Sequence, residues 1–326
     1  MDHEPFLPPF WARSPHVQTI FGSLSIRAAG KNEMTDAAQE AIVDAGKGVR
    51  LLGYHSRQTG RTARGLIILI HGWEGSSDST YVLSTGRFFF RRGYDVFRLN
   101  LRDHGKSHHL NRGLFHGALT DETAQAVANI ARLLPDCPCY LIGFSLGGNF
   151  ALRIALRQST APIPNLSRVF AVSPALDPHR ATLAIDRNLA LYRLYFLAKW
   201  KRSLRRKQSC FPDLYCFDDI LHHHSCMALT EAIMPWYTEY GGYRDYFSRY
   251  TLTGDLLGSL QTPVTIITSE DDPVVPADDF RQLPMNRHLD VIIEPYGGHC
   301  GFLDPFPFGC WYERRIAEII DQGEMG

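Results

Sequence analysis

The chain has 326 residues, enough for one large α/β domain or two average ones, and 44% apolar with 21% charged residues is an ordinary globular composition. Its 34 Lys and Arg balance 34 Asp and Glu, so net charge offers nothing to nucleic acid. The acidic start Met1-Asp2-His3-Glu4-Pro5 lacks the basic and apolar regions of a signal peptide, and no uncharged apolar run approaches the ~18 residues that span a bilayer, so a cytoplasmic protein is expected.

The first stretch, Met1–Gly30, is rich in proline and aromatics and is expected to wrap the surface without forming a core element. Gln39–Asp44 and Val49–His55 read as two strands of a hairpin turning at Ala45–Gly48. Leu66–Ile70 is a continuous apolar run ending at His71-Gly72, which suits a strand buried on both faces of a parallel sheet. A helix over Tyr81–Arg92, a strand over Asp95–Asn100 and a helix over Asp121–Leu134 follow. Next come a strand over Cys139–Phe144, a helix over Leu146–Gln158 and a strand over Val169–Ser173. The alternation stops at Pro174, and Ala175–Tyr250 is helical, aromatic and partly basic. Strands resume at Pro263–Thr268 and Val291–Glu294, before a last helix over Tyr312–Asp321. This pattern predicts a mostly parallel sheet with right-handed crossovers and helices on both faces. The core would comprise residues 1–174 and 251–326. Residues 175–250 would form a helical lid inserted after the sixth strand, over the carboxyl ends of the strands where such sheets keep their ligands. The odd cysteine count, seven, argues against a disulfide framework, and Cys137-Pro-Cys139 is one residue short of a C-x-x-C motif.

Gly143-Phe144-Ser145-Leu146-Gly147 is a G-x-S-x-G pentapeptide between a predicted strand and a predicted helix, the context of a nucleophile elbow. A serine nucleophile needs a base, and the base an orienting carboxylate. Glu270-Asp271-Asp272 follows one late strand and Gly297-Gly298-His299 the next, so type, order and position agree with Ser145, an acid, and His299. Asp272, which begins Asp272-Pro-Val-Val-Pro276, is the preferred acid and Asp271 the runner-up. The backbone N–H groups of Leu146 and Trp73 are the expected oxyanion donors, and His71 is expected to hold the turn. Phe144, Leu194 and Phe196 are the expected apolar pocket residues.

Other patterns read as structural. His222-His223-His224 with Cys226 cannot all face one ion from a regular element, so no metal site is expected. Arg102-Asp103-His104-Gly105-Lys106-Ser107 should support the rim of the site. The basic run Lys199–Lys207 is suited to peripheral membrane contact with anionic lipid, but a solvated helix face is the simpler reading.

With these motifs in hand, the chain resembles the α/β-hydrolase superfamily. Ser14-Pro-His-Val-Gln-Thr-Ile20, His71-Gly-Trp-Glu-Gly-Ser-Ser-Asp-Ser-Thr-Tyr81 and Phe217-Asp-Asp219 resemble its YheT-like branch, related to the mammalian α/β-hydrolase-domain lipases. The resemblance implies a serine esterase or lipase without a cofactor, acting on a small-molecule ester with Ser145, Asp272 and His299 as its triad. The lid's aromatics suggest an apolar acyl group. A thioesterase, amidase or acyltransferase would use the same residues, and a non-catalytic binding protein would have a broken triad. The chain departs from the branch in having Arg102-Asp-His-Gly where Arg-Gly-His-Gly is frequent.

Overall fold

The computed structural model describes residues 4–28, 30–304 and 309–324. Its strands are β1 (Ala38–Asp44), β2 (Arg50–Ser56), β3 (Leu66–Ile70), β4 (Asp95–Leu99), β5 (Cys139–Phe144), β6 (Leu166–Val172), β7 (Val264–Ser269) and β8 (Leu289–Glu294). They form one eight-stranded sheet in the order β1-β2-β4-β3-β5-β6-β7-β8. β1 and β2 pair antiparallel, as do β2 and β4, and every other neighbour pair is parallel.

The alternation of side chains along a strand divides the core in two. Leu66, Ile68 and Ile70 of β3 join Phe97, Leu99, Leu141 and Phe150 on one face, which is covered by helices Thr120–Ala131 and Leu146–Leu156. Ile67 and Leu69 join Val96, Ile142, Phe144 and Phe170 on the other, against helices Thr80–Arg91 and Trp311–Glu324. β3 and β5 are buried at every position, as a strand must be when helices cover both faces. All seven cysteines are free. Among the described residues no helix is long and apolar enough to cross a membrane.

Four α-helices stand between β6 and β7, Pro178–Arg187, Ala190–Cys210, Cys226–Tyr237 and Tyr243–Ser248, before a short 3-10 helix over Gly254–Ser259. Their apolar residues Ile185, Leu197, Leu204, Leu229 and Ile233 belong to the same continuous cluster as Phe150 of the elbow helix. The two ends of the segment meet. Asn149 Nδ2 donates to the carbonyls of Ala175 and Tyr250, both at 2.8 Å, and Leu252 N donates to Leu176 O at 2.8 Å.

Two expectations are corrected. The N-terminal stretch is part of the packed structure. Phe6 is buried against Phe302 and Trp311, and helix Pro15–Gly22 buries Gln18 and Thr19. Its buried face is polar, so no apolar period announced it. The basic run is likewise no simple solvated face. Lys199, Ser203, Arg206 and Lys207 share one side of helix Ala190–Cys210 and hydrogen-bond Glu74 O, Asp103 O, Gly105 O and the Asp103 carboxylate. Lys207 Nζ is fully buried, 2.8 Å from Asp103 Oδ1, and also donates to Asn111 O and Gly113 O. Asp103 accepts from Phe115 N as well, and occupies the left-handed region at φ 56° that Asp tolerates better than most residues. Burial pushes the Asp103 carboxyl up to about 6, against the pull of Lys207. The departure from Arg-Gly-His-Gly therefore supplies a buried ion pair between the inserted helices and the loop after β4.

Removing one partner of such a pair strands the other charge. Lys207→Met should cost ~3–5 kcal/mol of stability, with part recovered when Asp103→Asn is added. Chemical denaturation of the single and double variants measures both.

Candidate active site

The elbow is built by close packing. Ser145 sits at φ 53°, ψ −117°, between the end of β5 and helix Leu146–Leu156. A non-glycine residue held in such a conformation costs ~1–3 kcal/mol and must be fixed by its surroundings. Here Ser145 N donates to Val172 O at 2.9 Å and Ser145 O accepts from Asn149 N at 3.0 Å. A Cβ on Gly143 would collide with Gly147 O, and one on Gly147 with the carbonyls of Ile70 and His71. Only glycine fits on either side, and the tightness aims the helix N-terminus at the serine.

The loops after β7 and β8 bring the other polar residues to this point. His299 Nε2 lies 2.9 Å from Ser145 Oγ, and His299 Nδ1 lies 2.8 Å from Asp272 Oδ2 and 3.2 Å from Oδ1. The Asp272 side chain is fully buried, and its Oδ1 accepts the N–H groups of Val274 and Val275 at 2.8 and 2.9 Å. Asp271 points elsewhere: its Oδ1 accepts from Gly298 N at 2.8 Å, and burial raises its pKa.

Several residues that hold the histidine loop escaped the sequence reading. Thr19 Oγ1 accepts His299 N–H at 2.9 Å and donates to Pro15 O at 2.7 Å. Ser269 Oγ donates to Gly298 O at 3.0 Å, and Gln18 Oε1 accepts Leu303 N–H at 2.7 Å. A Cβ on Gly298, at φ 54°, would lie 2.7 Å from Thr19 Oγ1. The Pro-His-x-Gln-Thr segment was the available signal, and its function is a clamp made by the N-terminal helix.

The His71–Glu74 loop runs beside the serine. A Cβ on Gly72 would come within 3.1 Å of Ser145 Cβ, and Gly72 N donates to the Tyr81 hydroxyl at 3.0 Å. His71 Nδ1 donates to Gly72 O at 2.7 Å while Nε2 accepts Leu101 N–H at 3.1 Å. His104 likewise donates from Nδ1 to Arg102 O at 2.7 Å and accepts Glu74 N–H at 3.2 Å. Burial holds His71 well below the ordinary imidazole range and pulls His104 down to about 4, so both rings are neutral braces near pH 7. The N–H groups of Trp73 and Leu146 have no hydrogen-bond partner among the described residues.

Two cavities meet at Ser145. One of about 80 Å³ extends under the inserted helices, and one of about 520 Å³ extends toward the N-terminal helix. Ser145, Trp73, Phe196 and Val274 line both. Of the expected pocket residues only Phe196 is in place. Phe144 is fully buried on the opposite face of the sheet, against Tyr81 and Tyr312, because the period of two turns it away from the inserted helices. Leu194 is 61% exposed and lines neither cavity. The rings of His222 and His223 lie 4.4 Å apart, and among the described residues no group of three or more His, Cys, Asp or Glu is placed to hold a metal ion.

Comparison with known proteins gives a consistent family. Phospholipase ABHD3 of Mus musculus is 22% identical over 264 residues, covering 80% of this chain and 64% of the relative. The monoacylglycerol lipase of Saccharomyces cerevisiae is 20% identical over 268 residues, covering 79% of this chain and 59% of the relative. The chain thus spans about 60% of the length of these relatives, less than two thirds. Among solved structures, an esterase of Pyrococcus furiosus matches 98% of this chain and 99% of its own at 15% identity and a TM-score of 0.55, a likeness of fold. The model of the alpha/beta hydrolase family matches residues 67–308. That span takes in the sheet from β3 onward, the elbow and the loops carrying Asp272 and His299, and the chain belongs to the alpha/beta hydrolase family.

Proposed function

We propose that the protein is a serine hydrolase that cleaves carboxylic esters through an acyl-enzyme, with Ser145 as nucleophile, His299 as base and acid, and Asp272 as orienting carboxylate. The observation that carries the reading is the continuous chain from Ser145 Oγ to His299 Nε2 at 2.9 Å and from His299 Nδ1 to Asp272 Oδ2 at 2.8 Å. In this reading Asp272 fixes the tautomer with the proton on Nδ1, which leaves Nε2 free to take the serine proton as Oγ attacks the ester carbonyl. The N–H groups of Trp73 and Leu146 receive the developing oxyanion, a contribution of ~10²–10³ in turnover for each such donor. His299 then protonates the departing alcohol, and water repeats the sequence on the acyl-enzyme. Esterase, lipase and phospholipase names among the relatives and structural neighbours support ester hydrolysis. Residues 175–250 serve as the lid in this reading, and the YheT-like branch and a cytoplasmic location belong to it as well.

A fluorophosphonate probe should label the wild-type chain and fail on a folded Ser145→Ala variant. Labelling that persists in Ser145→Ala would overturn the assignment. Hydrolysis of p-nitrophenyl esters should fall by ~10³–10⁴ in Asp272→Asn and far less in Asp271→Asn, whose carboxylate braces Gly298. The opposite ranking transfers the role to Asp271.

Thr19 is a positioning residue. Thr19→Val leaves the partly buried His299 N–H without its acceptor, which should cost ~1–3 kcal/mol of stability and lower kcat with little change in KM. Thr19→Ser, which restores the acceptor, should recover both in the same denaturation and kinetic measurements.

A further inference from the structure

We infer that the face formed by the N-terminal stretch and the inserted helix Ala190–Cys210 docks on an anionic lipid surface, with its apolar side chains entering the bilayer and its outer arginines meeting the phosphates. The contact is one of binding and needs no turnover at Ser145.

The helix presents a graded line to solvent. Leu191, Leu194, Ala198, Arg202 and Arg205 are exposed and follow one another at steps of three and four residues, so they share one line along the helix. The line is apolar over its first turns and cationic over its last. The helix carries seven Lys and Arg and no Asp or Glu, in a chain whose charges balance. Lys199, Arg206 and Lys207 turn inward to the loops after β3 and β4, and Arg193 donates to Asp186 O. The side chains of Lys201, Arg202 and Arg205 have no hydrogen bond or ion pair among the described residues. Arg202 and Arg205 thus present unneutralised charge outward.

The N-terminal stretch adds apolar surface beside it. Phe10 is 88% exposed and Trp11 61%, in the turn that precedes helix Pro15–Gly22, and Phe21 and Leu24 are exposed at the far end of that helix. The two segments adjoin. His16 Nδ1 lies 2.9 Å from the Tyr192 hydroxyl, and Leu24, Leu191 and Tyr195 line one cleft. Single exposed apolar residues are ordinary, but aromatic and leucine side chains gathered on two touching segments mark a contact surface.

Charge and shape together select the occupant. Phe10, Trp11, Phe21 and Leu194 protrude and line neither cavity at Ser145, and protruding side chains suit a fluid hydrocarbon phase that closes around each one. Asp78, the carboxylate on the cleft, is held by Arg98 at 3.1 Å, which blunts its repulsion of lipid phosphate. Helices that lie in an interface sink their apolar side ~5–10 Å into the boundary between headgroups and acyl chains. Leu191 and Arg205 are separated by about 21 Å along the axis. A slight tilt therefore dips the apolar start below the headgroups while Arg202 and Arg205 reach back to the phosphates. Trp11 is suited to the same boundary, where an aromatic ring meets both hydrocarbon and water.

The test uses the full chain and vesicles of phosphatidylcholine with and without about 30 mol% phosphatidylserine, read by co-sedimentation. The mixed vesicles should bind the chain at least ~10-fold more tightly than phosphatidylcholine alone. Raising salt from about 0.1 M to about 0.5 M should weaken that binding by screening. Each cation near an anionic surface contributes roughly a factor of five, so Arg202→Gln/Arg205→Gln should lower affinity ~10–30-fold with thermal stability unchanged. Trp11→Ser/Leu194→Ser should lower it by ~10-fold or more, through lost apolar insertion. Lipids brominated in the acyl chain should quench tryptophan fluorescence, and less so in Trp11→Phe. Ser145→Ala should bind as the wild type does. No binding to the phosphatidylserine vesicles overturns the inference, as does binding that both double variants leave intact or binding without quenching. A dimer that Trp11→Ser/Leu194→Ser dissolves, with no vesicle binding, gives the face to a second copy and overturns it too. The substituted side chains are exposed, and if a variant does not fold, the dependence of the wild type on lipid charge and salt and its quenching decide the matter. Failure of phosphonate labelling would remove the hydrolase reading and leave this surface standing.

Discussion

A serine at φ 53° and ψ −117° cannot rest in that conformation on its own preference, and the middle of the molecule is arranged to keep it there. β5 delivers the chain with Gly143, the helix leaves with Gly147, and these two glycines pack so closely against each other and against the end of β3 that no Cβ fits at either. The strain is offset by burial of β3 and β5 on both faces and by the hydrogen bonds of Ser145 to Val172 and Asn149. The hydroxyl, the helix N-terminus and the loop after β3 then converge on one point. The three-residue chain through His299 to Asp272 has meaning only because that point is fixed.

The surrounding loops are fixed by polar groups and not by apolar packing alone. Neutral His71 and His104 each use one ring nitrogen as donor and the other as acceptor, tying the loop after β3 to the loop after β4. The same loops receive Lys199 and Lys207 from the long inserted helix, so that helix is joined to the loops beside Ser145 by hydrogen bonds. On the opposite side, Thr19 and Gln18 hold the backbone of the histidine loop. Each of these contacts places a closely packed wall beside Ser145.

Much of this was legible from residue order. Leu66–Ile70 and Cys139–Phe144 have the bounds their apolar runs predict, because a strand buried on both faces must be apolar throughout. The elbow and the two late polar clusters were readable since their chemistry demands particular residue types at strand ends. What could not be read was contact between distant segments. The N-terminal helix shows no apolar period because its buried residues, Gln18 and Thr19, face backbone and not core. Lys207 reads as one cation in a basic run until folding sets it against Asp103, 104 positions away in sequence. Phe144 and Leu194 failed as pocket residues for simpler reasons: strand alternation turns the first to the far face of the sheet, and helix phase leaves the second in solvent.

In the proposed reaction Ser145 carries the acyl group between two half-reactions. This acyl transfer is tested most directly by intact-mass and peptide mass spectrometry of the chain quenched during turnover of a p-nitrophenyl ester. An Asp272→Asn variant can be used to lengthen the lifetime of the intermediate. A mass increase of one acyl group is expected, located on the peptide containing Ser145 and absent from Ser145→Ala. Turnover with no acyl adduct under any quench condition, or an adduct on another residue, would contradict it.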